Sequence, residues 1–375
     1  MQEVLHSNLL YAKNQVIRKG ILQEIGERSD GGGDGLKKLL NTLYILTPDS
    51  YLFLRNETVC VKIGGEEKVA VPTLSIEAIV CFGKATVSTP LIGACAERGI
   101  SLVFLSEHGR FLARVEGPVS GNVLLRKRQY ESMGNCRFAS SLVRDILMAK
   151  LRNSKNMLLR AARTEQDEIS ASLHDAAHRL SELAQELDRT ENVDTMRGIE
   201  GAAATIYFSH FDDMLGESCP FRFEVRSRRP PFNEVNAALS FVYTLLRREI
   251  QSGLETVGLD PAAGFLHTLR PGRPSLALDM MEELRSPLAD RFVQTLFHRK
   301  QLSQIHFERD EEAAFLNEKG RRVVLSAWQK RKGEIITHPF LGEKIPIGII
   351  PYAQAMLLAR VLRGDLDRYP PFTWR

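Results

Sequence analysis

The chain has 375 residues and a formal net charge of +4, too long for one typical core and suited to two domains. Its 43% hydrophobic and 26% charged residues are those of an ordinary soluble globular protein and exclude disorder as the default, while the mild basic excess permits a polyanionic partner without requiring one. The cysteines Cys60, Cys81, Cys95, Cys136 and Cys219 include no C-x-x-C pair, which argues against a disulfide framework and against zinc or iron–sulfur ligation and fits a reducing cytoplasm.

Val4, Leu5, Leu9, Leu10, Val16, Ile17, Ile21, Leu22 and Ile25 recur at roughly helical period and run into the glycine-rich stretch Ser29–Gly35. Residues 1–38 are therefore expected to form a helix on a flexible tether. No Gly-Lys-Ser/Thr follows those glycines and no clear strand precedes them, so the linker reading prevails over a phosphate-cradling loop. The N-terminus shows no basic stretch followed by an apolar run, and no apolar segment approaches the ~20 residues of a membrane span, so secretion and membrane insertion are not expected.

From Leu39 to about Val119 the chain turns to short β-branched and aromatic runs, among them Val59–Ile63, Lys68–Val71, Ile76–Val80, Ser101–Leu105 and Phe111–Val115. A helix-like insert, Pro90 to Arg98, interrupts them. Beyond Gly121 almost everything reads helical, beginning with Leu124–Ala162, where apolar residues recur among Arg, Lys and Gln at three- and four-residue spacing, and a long α-helical domain follows. Thr164–Glu191 is a charged helix or helical hairpin with an apolar stripe at Ile169, Leu173, Ala177, Leu180, Leu183 and Leu187. Pro231 and Pro287 mark breaks further on. The expected class is α+β, with a mostly β, sandwich-like domain over 39–119 and a larger all-α catalytic domain over 120–375.

Glu200 is the first chemical outlier, a lone acid in the small-residue helical run Gly198–Phe208. A buried ionised carboxylate costs several kcal/mol unless paired or bound to a metal, so Glu200 either has a distant partner or faces solvent at a helix end. A second outlier is Gly264–Leu284, where His267 precedes a Pro/Gly/Arg turn and then an apolar helix that Ser275 is placed to cap. Asp279 and Glu282 lie three apart and share a face of that helix. Like charges so placed ask for a cation; the competing reading is a solvated i, i+3 pair. With His267 and Glu200 they make an oxygen-rich set with one imidazole nitrogen, suited to Mg²⁺ or Mn²⁺ rather than structural zinc. His267 on its own would be an ordinary loop histidine.

His174 and His178 have helical metal-pair spacing but lie on a charged, solvated face without the glutamate of H-E-x-x-H. His210-Phe-Asp-Asp213 reads as a helix terminus. Cys219 has no evident base partner and no Gly-x-Ser-x-Gly elbow occurs. Arg222, Arg226, Arg228 and Arg229, and then Arg270 and Arg273 around the turn after His267, are suited to phosphate binding. The late basic residues Lys319, Arg321, Arg322, Lys330, Arg331 and Lys332 read as ordinary surface charge. Phosphoryl chemistry is the economical reading.

Arg226–Ser240, Gly264–His267, Arg273–Arg285, Leu362-Arg-Gly-Asp365 and Tyr369-Pro-Pro-Phe372, in that order, resemble the CRISPR-associated endonuclease and integrase of spacer acquisition, and look closest to its type I-C-like branch. The resemblance runs from about Leu39 to the C-terminus. It implies a β domain used in dimerisation, a helical catalytic domain, and two integrase dimers around a dimer of a small ferredoxin-like adaptation partner. The implied substrates are a short duplex prespacer and the CRISPR repeat and leader, in a prokaryotic cytoplasm. The implied metal ligands are Glu200, His267 and Glu282, with Asp279 as a further catalytic acid and Arg226, Arg228, Arg229, Arg270 and Arg273 as DNA contacts. Glu282 stands where many members have Asp, which adds reach. Residues 1–38 lie ahead of the family's usual start and fit a fused remnant or a mis-set start codon. The expected function is metal-dependent integration of new spacers by 3′-hydroxyl attack on phosphodiester bonds. The rivals are a non-catalytic DNA-binding scaffold and a stand-alone structure-specific nuclease.

Overall fold

The computed structural model describes residues 42–374 except 77, 107–110, 116, 118–122, 217–218 and 228–229. The helix and glycine tether expected over 1–38, and Arg228 and Arg229, lie outside the described residues.

The N-terminal half is built on two four-stranded sheets. In one, β1 (Thr42–Ile45), β5 (Ala78–Phe82) and β7 (Ser101–Leu105) run parallel and β8 (Phe111–Arg114) closes the edge antiparallel. In the other, β2 (Ser50–Arg55), β3 (Thr58–Ile63) and β4 (Glu66–Pro72) form an antiparallel meander, with β6 (Ala85–Val87) parallel to β2. The expected helical insert is α1 (Thr89–Arg98), which ends at Gly99 with φ +67°. Strand alternation assigns the two faces of the first sheet. Ile79, Cys81 and Leu102 join Leu52, Val59, Val61 and Leu91 in a core of their own. Val80, Phe82, Val103 and Leu105 face the helices, where Phe82 meets Phe241 with ring centroids 5.9 Å apart. The β part is thereby welded to the helical part by apolar burial. All five cysteines are free thiols.

The helical part begins where the periodicity puts it. Residues 124–162 form two helices, α2 (Val123–Met133) and α3 (Cys136–Ala162), because Gly134 weakens the helix and Asn135 caps the next one, its Oδ1 accepting the Phe138 amide at 3.1 Å. The charged segment is a single helix, α4 (Asp167–Asp188), and His174 and His178 on it are exposed. There follow α5 (Val193–Ser209), α6 (Phe211–Leu215), α7 (Glu234–Thr256) and α8 (Ser275–Leu284). Pro287 does not stop the chain's helical course. It sits in a π-helical turn, Arg285–Asp290, that leads directly into α9 (Arg291–His298). Two small hairpins, β9–β10 (Phe307–Leu316) and β11–β12 (Ile335–Pro346), flank α10 (Glu318–Lys332) before α11 (Ile350–Arg363). The expected all-α part is thus helical with two β hairpins. Arg321 and Lys332 are also not surface charges: both are buried, Arg321 bonding the Leu316 carbonyl at 2.7 Å and Lys332 pairing with Glu249 at 3.0 Å.

α3 is the axis of this half. One face is apolar, with Leu142, Val143, Ile146, Leu147, Leu151 and Leu158 buried; another buries the polar residues Asp145, Lys150, Asn153 and Ser154. Buried polar groups demand partners, and the C-terminal tail supplies several. Arg368 donates to Asp145 at 2.7 Å. Asn153 donates to the carbonyls of Glu283 at 2.8 Å and Phe372 at 2.9 Å and accepts the Trp374 amide at 2.8 Å. Glu283 accepts from the Tyr369 hydroxyl at 2.6 Å, the Gln354 amide at 3.0 Å and the Phe372 amide at 2.7 Å.

Burial pushes the Glu283 carboxyl from 4.5 to about 7, opposed by those three hydrogen bonds. A carboxyl raised in the folded state gives its stability in full below the unfolded value of 4.5 and loses it as pH rises through about 7. Glu283→Gln is therefore expected to melt lower throughout, because its amide nitrogen cannot accept the Phe372 amide. Across that window it is also expected to show a flatter fall of melting temperature with pH than the unsubstituted chain. Parallel thermal scans check both.

Candidate active site

Glu200 stands in the middle of α5, not at its end, and its side chain is 23% exposed. Met196, Ile199, Ala203, Ile206 and Tyr207 turn the other faces of α5 inward. One turn before Glu200, Arg197 grips the loop that carries His267, donating to the Leu266 carbonyl at 2.7 Å and 3.2 Å. That loop is also held from α2, where the Gln129 side chain bonds the Asp260 and Ala263 carbonyls at 2.8 Å and 3.0 Å.

Asp279 explains why the loop takes this shape. Its carboxylate, fully buried on α8, accepts the backbone amides of Phe265 at 2.6 Å, Leu266 at 3.0 Å and His267 at 2.9 Å. The same carboxylate takes the His267 ring at Nδ1, 2.7 Å away. An imidazole whose Nδ1–H is committed to a carboxylate presents Nε2 as a lone-pair donor, the arrangement that orients ligating histidines. Asp279 is thereby a positioning residue, with its oxygens occupied by the loop. Ser275 does not cap α8 by its side chain: it is the first helical residue, after Pro274.

Glu282, one turn further along α8, is 2% exposed. Its carboxylate meets Arg285 at 2.8 Å and the Lys150 ammonium at 2.6 Å, and the His267 Nε2 lies 3.9 Å away. Lys150 also pairs with Glu200. Burial would raise the Glu282 carboxyl, but Arg285 and then Lys150 outweigh it and hold it at about 2, well below 4.5. Arg285 owes its position to the π-helical turn, lying over the Tyr243 ring at 5.1 Å while the Tyr243 hydroxyl bonds Asp290 at 2.5 Å. Burial pushes Asp290 up to about 6 against the bond from Tyr243 and the charge of Arg285.

The expected set Glu200, His267, Asp279 and Glu282 is thus gathered from α5, the 260–274 loop and α8, with unequal roles. Among the described residues no group of three or more His, Cys, Asp or Glu side chains is spaced to hold a metal ion. The two carboxylates nevertheless converge on one cation, the Lys150 ammonium, and the free imidazole nitrogen faces the same acid. Two carboxylates and one imidazole around a cation position are the donor set that Mg²⁺ or Mn²⁺ takes, so Glu200, Glu282 and His267 fit such an ion. Lys150 and Arg285 join the site beyond the residues to which the sequence points. The signal for Lys150 is the polar trio Lys150, Asn153 and Ser154 at i, i+3, i+4, which a solvent-facing reading of α3 hides.

Of the candidate DNA contacts, Arg270 is exposed and Arg273 half-buried, reaching the Thr268 carbonyl at 3.5 Å. Arg226 is engaged inside the fold, bonding Asn236 Oδ1 at 2.7 Å and lying 5.3 Å from the Tyr243 ring. His210 and Asp213 pair at 2.9 Å and Asp212 accepts the Phe223 amide at 2.6 Å, so that cluster ties a helix end to the following loop. Cys219 is buried.

The family model for the CRISPR associated protein Cas1 matches residues 43–330. The CRISPR-associated endonuclease Cas1 1 of Chlorobaculum tepidum is 47% identical over 343 residues, covering 91% of this chain and 100% of its own length. The solved structure of a CAS1 protein from Thermotoga maritima superimposes with a TM-score of 0.76 at 23% identity, covering 89% of this chain and 100% of that one. A casposase bound to its integration product gives a TM-score of 0.75 at 18% identity, covering 89% of this chain and 94% of that one. The two structural likenesses speak to the fold.

Proposed function

Because the chain belongs to the family of CRISPR-associated Cas1 proteins, we propose that it is a DNA endonuclease and integrase that inserts short DNA fragments into a CRISPR array with Mg²⁺ or Mn²⁺. The observation that carries the catalytic reading is the convergence of Glu200 and Glu282, from two different helices, on one cation beside the free Nε2 of His267. When bound there, the divalent ion supplies charge that polarises a phosphate oxygen and stabilises the departing one.

The chain's own residues supply the rest. Asp279 fixes the imidazole so that Nε2 points into the site. Arg285 and Lys150 keep Glu282 ionised through the physiological range. Arg270 and Arg273, on the turn just after His267, would bind phosphates of the DNA, a reading supported by the exposure of Arg270 and the closeness of both to His267 in the chain. In the joining step the 3′-hydroxyl oxygen of the incoming strand bonds to phosphorus, the phosphorus bond to the outgoing 3′-oxygen breaks, and that oxygen leaves with a proton. One phosphodiester forms as one is lost, so no external energy source is needed. Water in place of the 3′-hydroxyl gives the endonuclease reaction from the same site. A second copy of the chain and a small ferredoxin-like partner complete the assembly in this reading.

The test is an integration assay with a plasmid-borne CRISPR array, short duplex DNA and the small partner, run with Mg²⁺, Mn²⁺ or EDTA. Joining with either metal and none with EDTA is expected. DNA binding without joining in any metal would leave a scaffold, and cleavage of branched DNA with no preference for repeat ends would leave a stand-alone nuclease.

A further inference from the structure

Lys150 occupies the place where a metal-binding reading puts the metal. Its side chain is 7% exposed, its ammonium touches both Glu200 and Glu282, and α3 offers it no other ionic partner among the described residues. A buried ammonium between two carboxylates has little reason to be there for stability alone, since an apolar residue pair of the same volume commonly does as well. In a metal site the same arrangement has a use. Removing the ion would leave a buried acid, Glu282, beside the partly exposed Glu200, and Lys150 neutralises them.

We infer that Lys150 is the built-in counter-ion of the site, holding the carboxylates apart from one another until a divalent cation displaces its ammonium. This rests on the metal-dependent reading above. The displacement has somewhere to go: a cleft lined by Lys150, Ser154, Ala203, Tyr207, Arg285 and Asp290 opens beside the site. Swung into it, the ammonium would exchange one pair of acids for the neighbourhood of Asp290. Arg285, fixed over Tyr243, stays with Glu282 in both arrangements. Lys150 therefore sets a threshold: the ion must outbid a tethered positive charge, so the site discharges its cation readily and binds it more weakly than its donor set allows.

The experiment is Mn²⁺ binding to the full chain, followed by electron paramagnetic resonance of the free ion, for the unsubstituted protein and for Lys150→Met. The variant is expected to bind Mn²⁺ about tenfold more tightly, and Mn²⁺ to raise its melting temperature more than that of the unsubstituted chain. Equal or weaker binding by the variant, with Mn²⁺ bound normally by the unsubstituted chain, overturns the counter-ion role and leaves the metal reading standing. No Mn²⁺ binding by either protein removes both. If Lys150→Met fails to fold, Lys150→Gln, which keeps a polar head without charge, is measured in the same way with the same criteria.

Discussion

His267→Ala is expected to lower the rate of strand joining roughly a thousandfold while leaving DNA binding within about twofold, the pattern of a group that acts in the transition state rather than in substrate capture. The ring has no part in the core. It is 22% exposed, and the hydrogen bond it loses is to Asp279, which still holds the three backbone amides of the loop. The fold should therefore survive the substitution. Asp279→Asn is the informative companion: its amide weakens the cradle and changes what Nδ1 can donate to, so a loss of about 10- to 100-fold is expected, the scale of residues that orient a ligand without touching the reacting atoms. Initial joining rates on a labelled duplex, beside mobility-shift titrations on the same DNA, measure both. Joining by His267→Ala within tenfold of the unsubstituted rate would take His267 out of the machinery.

The second large effect is expected from the smallest change, Gly264→Ala. A Cβ there would fall 2.7 Å from Asp279 Oδ2, 2.7 Å from the Ser275 carbonyl carbon and 2.8 Å from the Leu276 nitrogen. Two of those atoms are backbone at the start of α8 and the third is the carboxylate that shapes the loop, so none can give way cheaply. The loop must lift off, carrying His267 with it. A destabilisation of about 2–3 kcal/mol is expected from the overpacking alone, together with a joining defect at least as large as that of Asp279→Asn. Gly93→Ala is the control, because Gly93 lies exposed in α1 with nothing within 4 Å of the added carbon. Denaturant melts of the two variants separate a general glycine effect from the collapse of this cradle.

Much of the site is legible in the sequence because acids are conspicuous in apolar helices. Glu200 among alanines, and Asp279 and Glu282 among leucines and methionines, cannot be buried without a reason. What they do with each other is less legible. The i, i+3 spacing makes Asp279 and Glu282 look like equal partners, yet Asp279 spends its oxygens on the amides of residues 265–267, a contact that depends on a loop path no periodicity encodes. Lys150 and Arg285 are hidden for the opposite reason. Basic residues in helices are usually solvated, and only the three-dimensional course of α5 and α8 turns these two inward. In the fold, the two faces of the first sheet follow from alternation, whereas the hairpins at 307–316 and 335–346 are missed because strands of three or four residues carry too little pattern to stand out from loops. Pro287 reads as a break because a proline lacks the amide hydrogen; a wider π turn accommodates it, and the same widening sets Arg285 and Asp290 where the site uses them.

The polar face of α3 has a consequence for how the protein comes into being. Asp145 waits for Arg368, 223 residues later in the chain, and Asn153 waits for Trp374, 221 residues later. A ribosome making the chain from its N-terminus has finished the β sheets and most helices well before those partners exist. Closing such long loops is slow and is rewarded only at the end. The wall behind Glu282 and Glu283 is thus expected to be among the last parts of the molecule to set, so a chain truncated before residue 368 would carry folded sheets but leave the polar face of α3 without its partners.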